Sequence, residues 1–469
     1  MEHFNSVRTV LLLGITLIIG GILPAQAVSK AGSHPNILII LTDQQTAKEM
    51  SCAGNSGLKT PAMDSLATHG IRFTRAYCAQ PLCVPSRSSM FTGRMPHEVK
   101  AMYNLKTIPD YWSEDLPMMG KMMKKVGYRT GYVGKWHLPV SSKEKNVHGF
   151  DYMVEKVYND YADASIPYDC YEFLKKPGKQ PFLLVASFTN PHDICEWARG
   201  DQLRQDYLAT PPAPEDCPQL PANFEIPENE PDILRKVQSE SWKAYPTGDW
   251  GPDRWRQYRW AYDRLTETVD SYITRIIASL RKFHKLENTV IIFASDHGDG
   301  DASHRWNQKQ ILYEEVVNVP FIVSWFGKYK NETDSIHLVS TGQDLIPTIL
   351  DYAGAEEQVA QSGLKGRSVL QLINDKKADW RDYLVVETLF ASGVQSSGVA
   401  GRAVVTADDK YILYNRGKKK EQYFNLKNDP GEMNDLSGKK DCSKRIAELR
   451  DILQNWCREY QDDFDGGWE

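Results

Sequence analysis

The chain has 469 residues, too many for one small core, and this length predicts two or three domains or one large domain with an appendage. Hydrophobic residues make up 41% of the chain and charged residues 25%, which is ordinary for a globular protein and excludes a disordered or fibrous class. The net charge of -5 gives no support to nucleic acid as a partner.

The first residues are typical of an export signal. Arg8 precedes an apolar run from Val10 to Leu23, and the small residues Ala25-Gln26-Ala27 follow it. This pattern predicts a signal peptide over residues 1–27 and a mature protein that is periplasmic or secreted. The alternative is an uncleaved anchor, but about 14 apolar residues are fewer than the roughly 20 that a spanning helix needs. We therefore expect no membrane span in the mature form.

Four short apolar runs each end in polar residues. The runs NILIIL, GYVG, PFLLVASF and TVIIFA lead to TDQQ, KWHL, TNPHD and SDHGD. Such runs, like a fifth from Val319 to Trp325, are typical of buried strands in a largely parallel sheet when helical stretches separate them. Because ligands gather at the carboxyl ends of strands in open α/β sheets, we expect these polar tails to converge on one crevice.

Between the third and fourth runs, two segments differ in character. From Tyr258 to Leu286, apolar residues recur at helical spacing and predict a long core helix. The preceding stretch, Trp197 to Tyr258, is rich in proline and tryptophan and predicts an insertion or long loop. Its composition suits stacking on sugar rings and pairing with acidic groups, or equally an ordinary aromatic lid or core. The side chains in question are Trp242, Trp250, Trp255, Arg235, Arg254 and Arg256.

The C-terminal part has strand-like runs around Asp408-Asp409, which predict a hairpin turn. A final helix follows, with an apolar face formed by Ile446, Leu449, Leu453 and Trp456. We therefore predict a catalytic domain over residues 35–375 and a smaller α+β subdomain over 376–469. The expected fold class is α/β, with a large, mostly parallel (mixed) central sheet flanked by helices.

The eight cysteines show neither a dense disulfide framework nor a CxxC zinc pattern. Two bridges are open possibilities in an exported protein, Cys195 with Cys217 and Cys442 with Cys457.

One motif links the chain to a known family. CVPSRSSMFTGR, residues 83–94, resembles the Cys-x-Pro-Ser-Arg-x-x-x-(Leu/Phe)-Thr-Gly-Arg signature of the formylglycine-dependent (type I) sulfatases of the alkaline phosphatase superfamily. The resemblance continues in order through GYVGKWHL, HGFD, NPHD, SDHGD, KQILYEE, GLKGRSVL and YFNLKNDPGEMNDL, and covers about Pro35 to Leu436. It implies an alkaline-phosphatase-like fold and a sulfuric ester hydrolase.

The resemblance implies that Cys83 is oxidised to formylglycine (3-oxoalanine) by a formylglycine-generating maturation enzyme. Hydration of that aldehyde gives a geminal diol, of which one hydroxyl can attack sulfur and the other can expel the sulfate. The sequence suits this chemistry, because Pro85 favours a first helical position and so predicts a helix N-terminus at residue 83, where an anion is favoured. Arg87, on the next turn, could hold the diol. A buried free cysteine is the alternative.

The resemblance also implies one divalent cation, normally calcium, held by Asp43, Gln44, Cys83, Asp296 and His297. Carboxylate and amide oxygens suit a hard cation. Gln44 stands where an aspartate is commoner in the family, and His297 where an asparagine is commoner. Since an imidazole nitrogen weakens the case for a purely oxygen-liganded ion, the identity of the metal stays open.

Further polar residues match positions of known role in the family. Lys135 and His137 resemble the pair that contacts formylglycine, with His137 as the base that releases sulfate. His192 and Lys309 match residues that contact the sulfate and the leaving group, and His192 is the candidate general acid. His304 could touch substrate or simply pack in its loop, and Arg94 is expected to brace the turn after the signature helix.

The predicted function is hydrolysis of sulfate monoesters, on a carbohydrate such as a glycosaminoglycan or another sulfated glycan by analogy with exported relatives. The alternatives are a phosphonate or phosphate ester hydrolase of the same superfamily, a choline-type or aryl small-molecule sulfatase, and a non-catalytic glycan-binding protein. The sequence leaves open the sugar, the position of the sulfate, exo or endo action and the oligomeric state.

Overall fold

The structure is a computed structural model that describes residue 1 and residues 34–104, 111–156, 162–203, 208–241, 244–392 and 395–467. Of the predicted signal segment 1–27, only Met1 is described, and Trp242 also lies outside the described residues. Within the described part of the chain, no helix is long and apolar enough to cross a membrane.

The strands form three sheets, of which the largest has eight strands in the order β5-β4-β6-β1-β7-β8-β2-β9. The strands are β1 (Asn36–Asp43), β2 (Gly70–Phe73), β3 (Ala76–Tyr77), β4 (Arg129–Gly134), β5 (Tyr152–Glu155), β6 (Phe182–Pro191), β7 (Thr289–Ser295), β8 (Phe321–Ser324), β9 (Glu332–Asp334), β10 (Val339–Ser340), β11 (Tyr383–Ser392), β12 (Gln395–Thr406), β13 (Asp409–Tyr414) and β14 (Glu421–Asn425).

The central sheet is mixed but mostly parallel, as predicted. The five neighbouring strands from β5 to β7 are parallel, and β8 pairs antiparallel with β7. β1 lies within this parallel group and is buried on both faces: Ile37 and Ile39 contact one core, whereas Leu38 and Ile40 contact the other. Burial on both faces explains why the strand is a continuous apolar run rather than an alternating one.

Helices cover both faces of the sheet. They are α1 (Pro61–Thr68), α2 (Cys83–Thr92), α3 (Met119–Lys125), α4 (Lys145–His148), α5 (Ala162–Lys175), α6 (Ile194–Arg199), α7 (Asp232–Glu240), α8 (Pro252–Lys282), α9 (Glu314–Val317), α10 (Thr341–Tyr352), α11 (Glu356–Gln361), α12 (Leu370–Asn374) and α13 (Ser443–Tyr460).

The two faces of the sheet carry different helices. α2, α3 and α10 pack with Ile37 and Ile39 on one face, and α1, α5 and α8 pack with Leu38 and Ile40 on the other. α8 confirms the predicted long helix, although it begins six residues before Tyr258. The reason is local, because Pro252 occupies the first helical position and needs no amide partner there.

The C-terminal sheet is antiparallel, in the order β11-β12-β13-β14. Val386 and Ile412 on one face contact the main body, and Val404 and Leu413 on the other contact α13. The predicted apolar face of this final helix is buried, with Ile446, Leu449, Leu453 and Trp456 all in that contact. β12 ends at Thr406 and β13 begins at Asp409, so the hairpin turn lies one residue earlier than predicted.

All eight cysteines are free. Neither Cys195 with Cys217 nor Cys442 with Cys457 forms a bridge, so the hydrophobic cores hold the fold without disulfide support.

Candidate active site

Four adjacent parallel strands, β4, β6, β1 and β7, bring their carboxyl ends to one place. The polar side chains predicted at these ends do converge, because neighbouring parallel strands point the same way. Asp43 is the last residue of β1, Lys135 and His137 follow β4, His192 follows β6, and Asp296 and His297 follow β7.

A glycine allows one of these approaches. Gly134 ends β4 with a φ of 112°, and a Cβ there would lie 1.9 Å from the carbonyl oxygen of Ser187 in β6. A side chain at this position would therefore push the chain away from the neighbouring strand just before Lys135. Gly134 thus places Lys135 beside the ends of β6 and β1.

Cys83 is the first residue of α2, and its side chain is buried among the strand ends. The helix N-terminus predicted at residue 83 is confirmed, although Pro85 is the third residue of the helix rather than the first. Helix N-termini carry unpaired amide donors and a partial positive charge, so this position favours a negative group. α2 ends at Thr92 and is followed by Gly93, which has a φ of 70°, and by Arg94, which donates to the carbonyl of Ser362.

Five polar side chains surround Cys83. The sulfur lies 3.2 Å from Lys309 Nζ, 3.3 Å from His297 Nε2 and 3.8 Å from Asp43 Oδ1. The side chains of His137 and His192 also lie close enough to that of Cys83 for it to act on their pKa values. Burial raises the pKa of the thiol, but the positive charges of Lys309, Lys135 and His297 outweigh burial and hold the pKa well below its ordinary value.

The donor atoms fit a single cation. Ligand atoms of Asp43, Cys83, Asp296 and His297 all lie within 4.8 Å of one another and are buried. The Cys83 sulfur lies 3.3 Å from His297 Nε2, and His297 Nε2 lies 4.0 Å from Asp43 Oδ1. Ligands at right angles around an oxygen-bound calcium ion would be about 3.3–3.7 Å apart, which is close to these values.

The tautomer of His297 suits a metal ligand. Its Nδ1 lies 2.9 Å from the carbonyl oxygen of Gly298, which can only accept, so Nδ1 carries the proton. In the neutral ring, the form that can bind a metal, the lone pair is then on Nε2, the atom that faces Cys83 and the two aspartates. A hydrogen bond of this kind fixes both the ring orientation and the metal-facing nitrogen.

Arg87 binds the two carboxylates of the candidate metal site. Its Nε donates to Asp296 Oδ2 at 2.8 Å and its Nη2 to Asp43 Oδ2 at 3.2 Å, while Nη1 donates to the carbonyl of Lys135 and to Ser187 Oγ. The hydrogen bonds of this guanidinium therefore orient Asp43 and Asp296 instead of reaching the Cys83 side chain, which was the role predicted for it.

The two aspartates have opposite pKa shifts. Although burial and Cys83 act the other way, Lys135, His192 and Arg87 hold the pKa of Asp43 well below its ordinary value, and Lys135 Nζ is 2.5 Å from its Oδ2. Burial and the charge of Asp43 raise the pKa of Asp296 to about 6. Two close, buried carboxylates repel each other, and a divalent cation between them would relieve that repulsion.

His137 and His192 are the partly exposed members of the group, whereas Lys309 is buried. Burial, with help from Lys135, lowers the pKa of His137, and burial with Lys309 and Lys135 lowers the pKa of His192. For Lys309, burial acts downward, but Cys83, Cys195 and Asp43 raise its pKa above the ordinary value. Because the two imidazoles reach solvent, substrate can approach Cys83 from their side.

His304 lies in a different cluster. It is fully buried with Glu315 and Glu432, and its ring stacks on Tyr313 with centroids 4.0 Å apart. Of the two predicted possibilities, substrate contact and packing, this placement favours packing.

The tryptophan-rich insertion forms an aromatic core. Trp255 is buried, Trp250 is partly buried, and the guanidinium of Arg254 lies 4.0 Å from the ring centre of Trp197. Arg235 pairs with Glu230, and Arg256 donates to backbone carbonyls, including that of Cys217 at 2.7 Å. These side chains contact the protein itself, which favours the core interpretation over sugar stacking.

Sequence reasoning missed Asp299, Tyr258 and Ser187. Asp299 accepts a hydrogen bond from Gln44 Nε2 at 2.7 Å and one from the Tyr258 hydroxyl, and Ser187 accepts one from Arg87. Asp299 belongs to the SDHGD motif and could have been singled out from it. Tyr258 carried no such signal, because its role depends on how α8 crosses the site.

Comparison with known proteins gives consistent matches. A family model described as sulfatase matches residues 35–355, and one described as the C-terminal part of N-sulphoglucosamine sulphohydrolase matches residues 302–459. A Delta 4,5-hexuronate-2-O-sulfatase of Bacteroides thetaiotaomicron is 30% identical over 93% of this chain and 92% of its own length. An N-acetylglucosamine-6-O-sulfatase of the same bacterium is 26% identical, covering 92% of this chain and 87% of its own.

A solved structure agrees with the sequence matches. The structure of a 2-O GAG sulfatase superposes with a TM-score of 0.79 at 27% identity, covering 92% of this chain and 93% of that one. The mixed sheet, its helical layers and the C-terminal antiparallel sheet are thus those of an alkaline-phosphatase-like sulfatase fold. With a family model over two thirds of its length and a relative aligned along nearly all of it, the chain belongs to the sulfatase family.

Proposed function

We propose that this sulfatase hydrolyses sulfate monoesters of a saccharide, converting the ester and water into a free sugar hydroxyl and inorganic sulfate, with residue 83 as the point of attack on sulfur. The observation that carries the proposal is the position of Cys83, at a helix N-terminus within 3.2 Å of Lys309 and 3.3 Å of His297, with two further imidazoles close by.

The fixed charges of the site suit a sulfate group. Lys135, Lys309 and Arg87 supply three positive charges against the two of Asp43 and Asp296. A thiolate at Cys83 would balance the third cation, whereas a neutral side chain there leaves a net positive charge for an anion. A sulfate monoester is negatively charged and is attracted to this surplus, which a bound divalent cation would increase.

The surroundings of residue 83 support its conversion to formylglycine. Once hydrated, that group would supply two hydroxyls on one carbon, one to attack sulfur and one to expel sulfate. His137 is placed to take a proton from such a hydroxyl because it lies close to the residue 83 side chain and burial keeps its pKa low, so it is a neutral base at pH 7. Conversion requires a formylglycine-generating maturation enzyme as a partner.

Asp43, Gln44, Asp296 and His297 would hold one calcium ion, together with the side chain at residue 83. The ion would supply positive charge next to the sulfate oxygens. Arg87 holds both aspartates in place, and Lys135 fixes the second oxygen of Asp43.

His192 is the candidate general acid for the departing sugar oxygen. Lys309 would contact the sulfate group of the bound substrate. In the structure, burial and the two lysines lower the pKa of His192, which opposes protonation. A bound sulfate would neutralise Lys135 and Lys309 and raise that pKa, so protonation of His192 would be coupled to substrate binding. The partial exposure of the imidazole allows a sugar to reach it.

The relatives support a glycan substrate, since one is named a hexuronate-2-O-sulfatase and another an N-acetylglucosamine-6-O-sulfatase. The first is the more similar, so a 2-O-sulfated hexuronate is the first substrate to test. The apolar run from Val10 to Leu23 supports export, which would bring the enzyme to such glycans in the periplasm or outside the cell.

The test is a panel of saccharides that differ only in the sulfated position, together with an aryl sulfate, a choline sulfate and matched phosphate and phosphonate esters. We expect the largest kcat/KM on one sulfated saccharide and release of inorganic sulfate. Preference for the phosphonate or phosphate esters would contradict the proposal. In parallel, mass spectrometry of the peptide that contains residue 83, from a host with the maturation enzyme, should show an aldehyde that reacts with hydrazide.

A further inference from the structure

The side chain of Gln44 is held by a buried carboxylate. Gln44 Nε2 lies 2.7 Å from Asp299 Oδ2. A carboxylate offers only acceptor atoms, so the atom that faces Asp299 must be the amide nitrogen. This leaves Oε1 as the only side-chain atom of Gln44 that can serve as a ligand to a cation.

Asp299 itself is fixed by donors on every side. The Tyr258 hydroxyl lies 2.8 Å from Oδ1 and 2.9 Å from Oδ2, the backbone N–H of Asp301 donates to Oδ1 at 2.8 Å, and that of Gln308 donates to Oδ2 at 3.0 Å. The side chain is fully buried. Asp299 therefore cannot turn away from Gln44 without leaving these donors unpaired.

The backbone of Gln44 is held as firmly as its side chain. Its N–H donates to Asp296 Oδ1 at 3.1 Å, its carbonyl accepts from the Tyr262 hydroxyl, and its φ is 70°. Tyr258 and Tyr262 lie one turn apart on α8, so the same helix face holds both Asp299 and Gln44. Cys195 Sγ lies 3.2 Å from Nε2 and 3.4 Å from Oε1, so the thiol can pair with either end of the amide, and Asp299 sets the orientation.

We propose that Asp299 is a positioning residue of the metal site: it orients the Gln44 carboxamide so that the oxygen is the ligand, and it makes a neutral amide, rather than a carboxylate, the residue required at position 44. The inference rests on the proposed metal site. A carboxylate at position 44 would face Asp299 with no proton donor between them, and two buried like charges repel.

The consequence runs against the usual trend for calcium sites. An added carboxylate ligand generally strengthens calcium binding, because ligand charge helps to set affinity. Here the isosteric change Gln44→Glu should weaken binding about 10- to 100-fold, the usual loss when the hydrogen-bonded support of a ligand is broken. Asp299→Asn should also weaken it, since an amide at 299 has a single acceptor oxygen and cannot pair with Gln44 Nε2 and with all the other donors that surround this position.

The experiment is a double-mutant cycle measured as calcium affinity by titration calorimetry on the metal-stripped full chain. Gln44→Glu combined with Asp299→Asn restores one donor opposite one acceptor, so we expect the double variant to lose clearly less calcium affinity than the sum of the two single changes. Recovery stays incomplete because the Gln308 N–H loses its acceptor. The matched control is Tyr258→Phe, which removes a donor to Asp299 but leaves the Gln44–Asp299 bond, and should cost less than either single change. Melting in chelator checks that each variant folds without the ion.

Three results would overturn the inference. Tighter calcium binding by Gln44→Glu with Asp299 intact would show that no repulsion exists, and additive losses in the double variant would show that the two residues are not coupled. If Gln44→Glu does not fold, an equal loss of calcium affinity in Asp299→Asn and in Tyr258→Phe would contradict the positioning role of Asp299. A wild-type chain that binds no divalent cation would overturn the metal site as well, whereas sulfatase activity on the saccharide panel is measured separately and distinguishes the two failures.

Discussion

The chain contains two buried clusters of charged side chains that are built differently. One surrounds Cys83; the other, which we call the joint, consists of two ion pairs, His97 with Glu387 and Arg402 with Asp462. The joint connects the segment after α2 to the C-terminal sheet and to the end of α13. His97 Nδ1 lies 2.5 Å from Glu387 Oε1, and Arg402 binds Asp462 through two nitrogens at 2.7 and 2.9 Å. At the joint, with His97 protonated, two positive charges meet two negative ones.

The cluster around Cys83 is not balanced in this way. With a neutral side chain at residue 83, three permanent cations face two carboxylates, and several possible ligand atoms lie within 4.8 Å of one another. Burying a charge is costly unless it is paired, so a balanced cluster can be explained by stability alone. A surplus of positive charge costs stability and indicates a site that an anion completes on binding. Changes at the joint should therefore lower the stability of the protein, whereas changes in the cluster around Cys83 should stop turnover.

The largest expected effect is at Cys83. Cys83→Ala should lower kcat on the best sulfated saccharide by at least about 1000-fold, as removal of a nucleophile commonly does. The melting temperature should stay close to wild type because the change is small. Measurement needs only steady-state kinetics and a thermal melt. Near-normal activity in this variant would show that residue 83 is not the nucleophile. The cluster around Cys83 would then not differ from the joint in being needed for turnover.

Metal removal should have the next largest effect. Chelation should reduce activity at least about 100-fold and calcium should restore it, since the ion would balance Asp43 and Asp296 and place charge beside the sulfate. Calcium should also raise the melting temperature, because an ion that binds only the folded state stabilises it. Elemental analysis gives the metal content.

Two variants control for this assignment. Asp296→Ala should mimic chelation, whereas Arg94→Lys should not, since Arg94 Nη2 contacts Ser362 beyond α2 rather than the site. Full activity in excess chelator, with no metal bound, would rule out the cation. Greater damage from Arg94→Lys than from Asp296→Ala would mean that the site lies elsewhere.

The proton donor can be tested through the leaving group. His192→Ala should slow hydrolysis of a sugar sulfate by about 100- to 10,000-fold, but that of an acidic phenyl sulfate much less, because a phenolate leaves without a proton. His137→Ala is the matched control: it should slow both esters alike, since its proposed role follows departure of the alcohol. Equal losses from His192→Ala on both esters would leave His192 with a binding role only.

The sequence predicted those site residues whose position depends only on the strand that they directly follow. Asp43, Lys135, His192 and Asp296 follow apolar runs, and strand direction then brings them together whatever the details of packing. The sequence did not predict the hydrogen bonds of Arg87 to Asp43 and Asp296, because the side chain could reach either Cys83 or the carboxylates and only the tertiary structure decides between them. The stacking of His304 on Tyr313 was equally beyond the sequence, since it depends on a left-handed backbone at His304, whose φ is 55°.

The smallest effect is expected at the joint, and it should appear in stability rather than turnover. Burial alone would lower the pKa of His97, but the charge and hydrogen bond of Glu387 raise it to about 9 from 6.5. Since the folded-state pKa is the higher one, the contribution to stability is complete below pH 6.5 and is lost as the pH rises through about 9. A shift of this size corresponds to about 3 kcal/mol at pH 6.

His97→Gln should therefore lower the free energy of unfolding by about that amount at pH 6 and by little above pH 9.5, with kcat unchanged at pH 7. Denaturant unfolding at several pH values measures the difference, and a loss that is constant from pH 6 to 10 would show that His97 acts by packing alone.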